Sequence, residues 1–241
     1  MARQSSSSSE QPSRKAARKS RRKAASEAAS KPEKIQPFQI DLKSESQKTA
    51  WAGLERNTLS FLLGSAGSGK TFLAMAYAIN AVLSERCSKI ILTRPIVESG
   101  ERLGFLPGTF GDKVNPYMQP LFDAMDLLIG KYSARREIVN KAVVLAPLCY
   151  MRGRTFHDAV CIFDEAQNAS YTQLKLFLSR FGDNTKVIVT GDPKQTDLPI
   201  AEPPLVEVID KLRSLNSVAV TQFTDLDVVR HPLVAEILKK L

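Results

Sequence analysis

The sequence predicts an α/β fold in which a parallel β-sheet is flanked by helices. Six short runs along the chain are continuously apolar rather than alternating, as strands buried on both faces are. Helical segments lie between several of these runs, and polar or glycine-rich clusters follow most of them. In open parallel sheets ligands bind beyond the carboxyl ends of the strands, so we expect these clusters to converge on one site. The runs span residues 58–63, 89–93, 142–146, 159–163, 186–190 and 217–221.

The composition is that of a globular protein with one sizeable core, although the length alone also allows two small domains. The chain has 241 residues, of which 43% are hydrophobic and 24% charged. Because no apolar run approaches the roughly 18 residues of a transmembrane helix, we expect a soluble protein. Cys87, Cys149 and Cys161 are isolated and odd in number, which favours free thiols in a reducing compartment. The absence of paired Cys or His spacings argues against a metal site built from such side chains.

Residues 1–36 differ sharply from the rest of the chain. They carry ten Lys or Arg against three Glu, so +7 of the net charge of +9 lies there. A segment of Ser, Ala, Lys and Arg without aromatic residues cannot bury enough apolar surface to offset the entropy of ordering. We therefore predict a disordered basic tail over 1–36 and a single domain over 37–241. The tail could be an arm for nucleic acid, a solubilising segment or, although it lacks an amphipathic face, a transit peptide.

A glycine-rich loop follows the first apolar run and leads into an apolar helical segment, residues 72–83. Its spacing is G-x-x-x-x-G-K-[ST], the phosphate-binding P-loop pattern, although a flexible turn could share it. Glycines let backbone N–H groups approach crowded phosphate oxygens, Lys70 would contact the β- and γ-phosphates, and Thr71 would hold Mg²⁺. The pattern predicts a nucleotide site formed by Gly64, Ser65, Ala66, Gly67, Ser68, Gly69, Lys70 and Thr71.

A helix is predicted to precede the P-loop. After an entry segment at residues 37–43, Ser44-x-x-Gln47 forms a capping-box pattern that opens a helix through about Glu55. Gln47 has two candidate roles, because it could cap this helix or read the edge of an adenine, as glutamines upstream of P-loops do in helicase-like ATPases. The spacing leaves both open.

Two further helical regions are predicted. Residues 94–140 are longer than an ordinary connection and contain a helical stretch over 116–129, which we interpret as a helical element inserted over the sheet. A second helix is predicted over 171–181, beginning with the box Ser170-x-x-Gln173 and ending at Gly182.

Acidic and amide side chains follow the fourth and fifth apolar runs. Asp164 would hold Mg²⁺ through its water shell, and Glu165 would orient or deprotonate the attacking water, unless the pair is only an acidic surface turn. In Gly191-Asp192-x-x-Gln195, Gln195 could contact the γ-phosphate and report its loss. The same residues would also build a tight turn.

Phosphoryl transfer normally needs an arginine to stabilise the transition state. Four arginines are candidates for this role, and each could instead be a surface or ion-paired residue. Arg230 precedes His231-Pro232 and a predicted terminal helix, which makes it a candidate sensor. His157 and His231 are interpreted as structural, because this chemistry needs no imidazole. The candidate arginines are Arg94, Arg152, Arg154 and Arg230.

Several motifs together resemble the PhoH family of P-loop ATPases, relatives of the RecA-like cores of superfamily 1 helicases, over roughly residues 44–238. Besides the P-loop, the resemblance is carried by residues 93–108, Pro116-Tyr117, residues 151–155, 164–168 and 191–195, and residues 230–234. Ser68 stands where that family usually has threonine.

The resemblance implies a RecA-like sheet, ATP binding and Mg²⁺-dependent hydrolysis. It also implies helicase or ribonuclease-type activity on RNA or another single strand, a cytoplasmic location and ring-like homo-oligomers such as hexamers. Superfamily 1 helicases place ATP between two lobes, but this chain has length for one. We therefore expect a neighbouring subunit to complete the site with Arg152 or Arg154. A nucleotide-dependent binding switch with slow turnover remains the main alternative, and a small-molecule kinase is a further one.

Overall fold

The computed structural model describes residues 36–95, 110–198 and 203–228, and side chains in the first helical turns at 110–115 are outside this description. Six strands in these ranges form one sheet in the order β3-β2-β4-β5-β1-β6, and every neighbouring pair is parallel. The predicted parallel α/β sheet is confirmed, and each strand boundary lies within one residue of its prediction. The strands are β1 Leu59–Leu63, β2 Lys89–Thr93, β3 Val143–Leu145, β4 Ala159–Phe163, β5 Thr185–Gly191 and β6 Val218–Gln222.

Helices cover both faces of the sheet. Odd-numbered side chains of β1, β4 and β5, such as Phe61, Phe163 and Val189, form a core with the helices that follow β4 and β5. The two helices nearest the start of the domain pack on the opposite face. Among the described residues, no helix has the length and apolar character needed to cross a membrane. The helices are α1 Glu45–Arg56, α2 Lys70–Leu83, α3 Phe110–Ile129, α4 Ala134–Ala142, α5 Tyr171–Leu178 and α6 Pro204–Leu212.

Helix α5 is shorter than predicted, because it ends at Leu178 instead of residue 181. The chain after it pairs with the segment before β4: the Phe156 N–H donates to the Arg180 carbonyl and the Gly182 N–H donates to the Phe156 carbonyl, both at 2.7 Å. These bonds draw residues 180–182 out of the helix. The prediction that Gly182 ends the helix is therefore wrong.

The described part of the inserted region contains two helices rather than one. Helix α3 begins at Phe110, earlier than predicted, and its main packing partner is α2 rather than the sheet itself. Helix α4 was not predicted, because its sequence is mostly polar and only Val139 and Ala142 are buried. The tail, the segment 96–109 and the predicted terminal helix with Arg230 lie outside the described residues.

Helix α2 is the most deeply buried helix of the described chain, with only its second and third residues not buried. It is enclosed by the sheet, α1, α3 and α4. In its last turn, the buried Asn80 pairs with the entry segment: its Nδ2 donates to the Phe38 carbonyl at 2.8 Å and its Oδ1 accepts from the Phe38 N–H at 3.0 Å. Both polar groups of a buried amide are thereby satisfied.

A lysine from β5 caps the C-terminus of α1. Lys186 Nζ donates to the carbonyl oxygens of Leu54, Glu55 and Asn57 at 2.6, 2.7 and 3.1 Å. A cation at this point satisfies carbonyls that the helix leaves without partners and interacts favourably with the helix dipole. The same ammonium lies over the Tyr77 ring, where burial raises the pKa of the phenol to about 12. Burial also lowers the pKa of Lys186.

Helix α2 ends in a Schellman motif with a glutamate in the position that favours glycine. The Arg86 N–H donates to the Ala81 carbonyl at 2.8 Å and the Glu85 N–H to the Val82 carbonyl at 3.0 Å. Glu85 adopts a φ of 56°. A side chain with a Cβ is disfavoured in this left-handed region.

Replacing Glu85 with glycine should therefore stabilise the fold. The expected gain for Glu85→Gly is about 0.5–1 kcal/mol in the free energy of unfolding, measured by urea denaturation. Ser84→Gly is the matched control, because Ser84 has a φ of −88° and gains no relief from glycine. A lower urea midpoint for Glu85→Gly would contradict the left-handed conformation.

Candidate functional site

The carboxyl ends of β1, β4 and β5 meet at one edge of the sheet. β5 lies between the other two, with Leu63 opposite Gly191 and Phe163 opposite Val189. The segments that follow these three strands are therefore neighbours in space. They contain the P-loop, Asp164 with Glu165, and the turn that leads to Gln195.

The P-loop takes a backbone path that requires glycine at its first position. Gly64 has a φ of 144°, and a Cβ there would lie 2.7 Å from the Phe223 Cβ and 2.8 Å from the Phe223 carbonyl oxygen. Gly64 N–H also donates to the Gly191 carbonyl at 3.1 Å. Within the loop, Ser68 Oγ donates to the Ser65 carbonyl at 2.8 Å. These contacts define the curve of the loop before α2 begins at Lys70.

The Lys70 ammonium lies inside the curve of the P-loop. Its Nζ donates to the carbonyl oxygens of Gly64 and Ser65 at 2.6 and 2.9 Å, and it is 3.4 Å from Ser68 Oγ. Lys70 is 8% exposed. A buried cation among backbone groups at the N-terminus of α2 is suited to binding an anion.

A hydroxyl of α2 and a carboxylate of β4 are in direct contact. Thr71 Oγ1 donates to Asp164 Oδ1 at 2.7 Å, and Thr190 Oγ1 of β5 donates to the same oxygen. Asp164 is 1% exposed, and the Asp164 N–H donates to the Thr93 carbonyl at 3.0 Å. The predicted metal ligands, Thr71 and Asp164, are therefore brought together. Hydroxyl and carboxylate oxygens fit Mg²⁺, which keeps several waters and needs few protein ligands.

Glu165 follows Asp164 in a left-handed conformation, with a φ of 54°. Its carboxylate has two neighbours: Arg94 Nη2 lies 3.3 Å from Oε1, and Gln167 Nε2 donates to Oε2 at 2.6 Å. A positive φ is uncommon for a residue with a side chain and costs about 1–2 kcal/mol. The side chain is 36% exposed, so solvent reaches it.

Of the candidate arginines, Arg94 lies beside Asp164 and Glu165. Its Nε is 4.0 Å from Asp164 Oδ2, and its Nη1 donates to the Tyr117 carbonyl at 3.1 Å. Arg152 and Arg154 are exposed in the segment between β3 and β4. Arg152 borders α5, and the Arg154 carbonyl accepts from Arg180 Nη1. Neither arginine lines the cavity that contains Lys70 and the two acids.

The turn after β5 is held by Asp192. Its Oδ1 accepts from the Lys194 N–H and its carbonyl oxygen accepts from the Gln195 N–H, both at 3.0 Å. The residues therefore do build a tight turn, the alternative that the sequence left open. Gln195 is exposed on it, and its contact with a γ-phosphate stays a prediction.

Gln47 lies beside the P-loop and also takes part in the start of α1. Its N–H donates to Ser44 Oγ at 3.2 Å, and its Oε1 accepts from the Lys43 N–H at 2.8 Å. The capping box is thus only half formed, because the glutamine side chain reaches the residue before the N-cap. Its Nε2 is 3.4 Å from the position that a Cβ of Gly69 would occupy.

Two adjoining cavities border the P-loop. One, of about 190 Å³, contains Gln47 and the entry segment, and the other, of about 220 Å³, contains both acids. The first is lined by Ile40, Asp41, Lys43, Gln47, Gly67, Ser68, Gly69, Phe72 and Leu73. The second is lined by Ala66, Gly67, Gly69, Lys70, Thr71, Phe72, Asp164, Glu165 and Thr190.

The segment after β6 also touches the P-loop, which the sequence did not indicate. Ser65 Oγ donates to Asp225 Oδ1 at 3.1 Å. Burial opposes the charge of the nearby Asp227, but hydrogen bonds from Ser44, Thr224 and Ser46 outweigh it and lower the pKa of this carboxyl. Contacts between segments 160 residues apart carry no signal in a single sequence.

Sequence reasoning also missed Thr190 and Gln167. Thr190 is the last residue of a predicted apolar run, where a threonine is typical of a strand and does not by itself indicate a site residue. Gln167 lies in the polar cluster after β4. Its closeness in sequence to Asp164 and Glu165 was the one signal that it could contact them. No group of three or more His, Cys, Asp or Glu residues placed to hold a metal occurs in the described part of the chain.

Comparison with known proteins gives a consistent result. A family model described as PhoH-like protein matches residues 39–241. The PhoH-like protein of Mycobacterium tuberculosis strain H37Rv is 45% identical over 196 residues, which cover 81% of this chain and 56% of that protein. The PhoH-like protein of Bacillus subtilis is 44% identical over 201 residues, covering 83% and 63%. The chain thus spans less than two thirds of the length of these relatives.

Among solved structures, the N-terminal domain of the DNA packaging ATPase from bacteriophage phi29 is similar with a TM-score of 0.45 and 15% identity. The match covers 78% of this chain and 100% of that domain. Likeness at this level has no bearing on function.

Proposed function

Because the chain belongs to the PhoH-like protein family and has a P-loop NTPase fold, we propose that it binds ATP and hydrolyses it with Mg²⁺. The proposal is carried by the 2.7 Å contact between the Thr71 hydroxyl and the Asp164 carboxylate. This contact joins the phosphate-binding loop to the acid-bearing end of β4. Glu165 and Lys70 lie on the wall of the same 220 Å³ cavity.

Thr71 and Asp164 are the residues that would hold Mg²⁺. When bound, the ion would neutralise charge on the phosphate oxygens. Lys70 and the backbone N–H groups of residues 64–71 would bind the β- and γ-phosphates, and Arg94 would stabilise charge near the γ-phosphate. Gln47 would contact the base from the adjoining cavity.

Glu165 would orient a water molecule and accept its proton. The water oxygen forms a bond to the γ-phosphorus while the bond between that phosphorus and the bridging oxygen of ADP breaks. The products are ADP and inorganic phosphate, and the proton on Glu165 passes to solvent. We assign Gln195 to the contact that senses the γ-phosphate and Arg230 to a second sensor.

Substituting Lys70 and Glu165 should separate binding from hydrolysis. Lys70→Ala should abolish ATP binding, because the cation facing the phosphates is lost. Glu165→Gln should bind ATP normally and slow phosphate release by about 10²–10⁴-fold. Binding is measured by titration with a fluorescent ATP analogue, and turnover by phosphate release.

Glu207→Gln is the matched control, because Glu207 pairs with Lys211 on the exposed side of α6. It should keep the wild-type rate. If the wild-type protein binds ATP but turns over slowly, and Glu165→Gln does not slow it further, the protein is a nucleotide-dependent switch and not an ATPase of this mechanism.

We further propose that ATP use acts on RNA or another single-stranded nucleic acid, with the basic tail as an electrostatic arm. The support is the charge of +7 within residues 1–36. Phosphate contacts by Lys and Arg release counterions, so such binding weakens steeply with salt.

The tail can be tested by the salt dependence of binding. If it contacts about six phosphates of a single strand, the logarithm of affinity should fall with the logarithm of salt at a slope of about −4. Deleting residues 1–34 should flatten this slope, whereas full-length Lys70→Ala should retain it. An equal slope for the deletion and the full chain would leave the tail as a solubilising segment.

We also propose that the protein forms a homo-oligomer, a ring such as a hexamer, in which Arg152 or Arg154 reaches the nucleotide of a neighbouring subunit. Both arginines are exposed, and neither lines the cavity that contains Lys70, Asp164 and Glu165 of its own chain. An exposed arginine outside its own site can still serve a site across an interface.

Mixing two inactive variants tests this arrangement. Arg152→Ala and Lys70→Ala should each abolish hydrolysis alone, and mixed oligomers should regain activity where an intact P-loop meets an intact arginine. The same mixture is made for Arg154→Ala, and gel filtration reports the size. A monomer whose rate per subunit is independent of concentration would rule out the shared site.

A further inference from the structure

The side chain of Gln167 bridges the ends of β4 and β5. Its Nε2 donates to Glu165 Oε2 at 2.6 Å, and its Oε1 accepts from the Asp192 N–H at 3.0 Å. Gln167 is 4% exposed. Both ends of a buried amide are therefore satisfied, one by the carboxylate and one by the backbone of the turn after β5.

The surroundings leave this amide little freedom. A Cβ on Gly191 would lie 3.0 Å from Gln167 Oε1 and 3.3 Å from the Gln167 backbone nitrogen, so a side chain there would push against the amide. Thr196 Oγ1 donates to the Gln167 carbonyl at 3.1 Å, which holds the backbone as well. The amide has one orientation that satisfies both partners, because a carboxylate cannot donate and a backbone N–H cannot accept.

Glu165 is held by this amide from one side only. Its other oxygen, Oε1, faces Arg94 Nη2 at 3.3 Å. The donation from Gln167 is the shorter of the two contacts. If it were lost, the carboxylate would be free to rotate toward the guanidinium, away from the direction that the two partners now define.

We propose that Gln167 is a positioning residue, which sets the orientation of the Glu165 carboxylate and links it to the turn at residues 192–196. The inference rests on the proposed role of Glu165 in accepting a proton. This turn carries Gln195. Because Gln167 bonds to both the turn and Glu165, a displacement of the turn would move the Glu165 carboxylate. The orientation of the base therefore depends on the position of the turn.

The neighbouring Asn168 supplies a matched control. Its Nδ2 donates to Asp197 Oδ2 at 2.7 Å, and its Oδ1 accepts from the Asp197 N–H at 2.8 Å. This amide therefore also joins the segment after β4 to the segment after β5, but it does so through Asp197 instead of Glu165. Removing it loosens the two segments without removing the donor to the carboxylate.

The test compares Gln167→Met with Asn168→Leu, both of which keep the approximate shape of the amide and remove its hydrogen bonds. Gln167→Met should lower kcat roughly ten- to hundred-fold, because the base is misplaced. KM and ATP affinity should stay within about twofold. Asn168→Leu should retain kcat within about twofold. Equal losses for the two variants, or an unchanged kcat for Gln167→Met, would overturn the proposal.

A double-mutant cycle with Glu165→Gln separates this inference from the proposed function. If Gln167 acts through Glu165, then Gln167→Met should not lower kcat further in the Glu165→Gln background. Equal losses in both backgrounds would refute the link. If Glu165→Gln alone leaves kcat unchanged, the proton-accepting role fails and the positioning role falls with it. A slow Glu165→Gln with a normal Gln167→Met defeats the positioning role alone.

Gln167→Leu covers the case in which methionine disturbs folding. It removes both hydrogen bonds of the amide with a branched apolar side chain, and its melting temperature is measured beside its kcat. A folded Gln167→Leu protein should lose kcat as far as Gln167→Met does. Wild-type kcat in this variant would show that the donation is not needed.

Discussion

The hydrogen bonds to the buried carboxylate of Asp164 fix the relative positions of the elements that form this site. A carboxylate this deeply buried is unfavourable unless hydrogen-bond donors surround it. The donors come from different elements: Thr71 from the first turn of α2 and Thr190 from β5, with the Arg94 guanidinium 4.0 Å away. The three strand ends therefore cannot shift independently without leaving a buried charge poorly solvated.

The site also depends on two glycines, Gly64 and Gly191, whose backbones lie in close contact with neighbouring residues. A Cβ on Gly64 would clash with the backbone of Phe223, and a Cβ on Gly191 would crowd the side chains of Gln167 and Leu205. The two glycines are also neighbours, because the Gly64 N–H donates to the Gly191 carbonyl at 3.1 Å. The P-loop is thus shaped as much by the strands and segments beside it as by its own sequence.

The sequence predicted the elements that depend on local patterns. Continuous apolar runs identified all six described strands, because β-strands buried on both faces have no polar side. The P-loop was recognisable from its residue spacing, and the acids from their position after an apolar run. The contact of Thr71 with Asp164 shows that the two motifs do lie together. Helix α4 was missed because its burial comes from tertiary packing and not from an apolar stripe.

Contacts between distant segments were not predictable in the same way. The end of α5 is set by pairing of residues 180–182 with Phe156, and the P-loop meets Asp225 across 160 residues. The role of Gln167 depends on the direction of one side chain relative to two loops. A single sequence contains the residue types for these contacts but not the geometry that selects their partners.

The pairing of Asn80 with Phe38 has a consequence for how the domain would respond to a ligand. The entry segment at residues 36–43 forms one wall of the 190 Å³ cavity, and Asn80 attaches that wall to the last turn of α2. The N-terminus of the same helix borders the cavity that contains the two acids. The two ends of an elongated ligand would therefore rest on one rigid body, so a tilt of α2 would displace both together and leave the span between them unchanged.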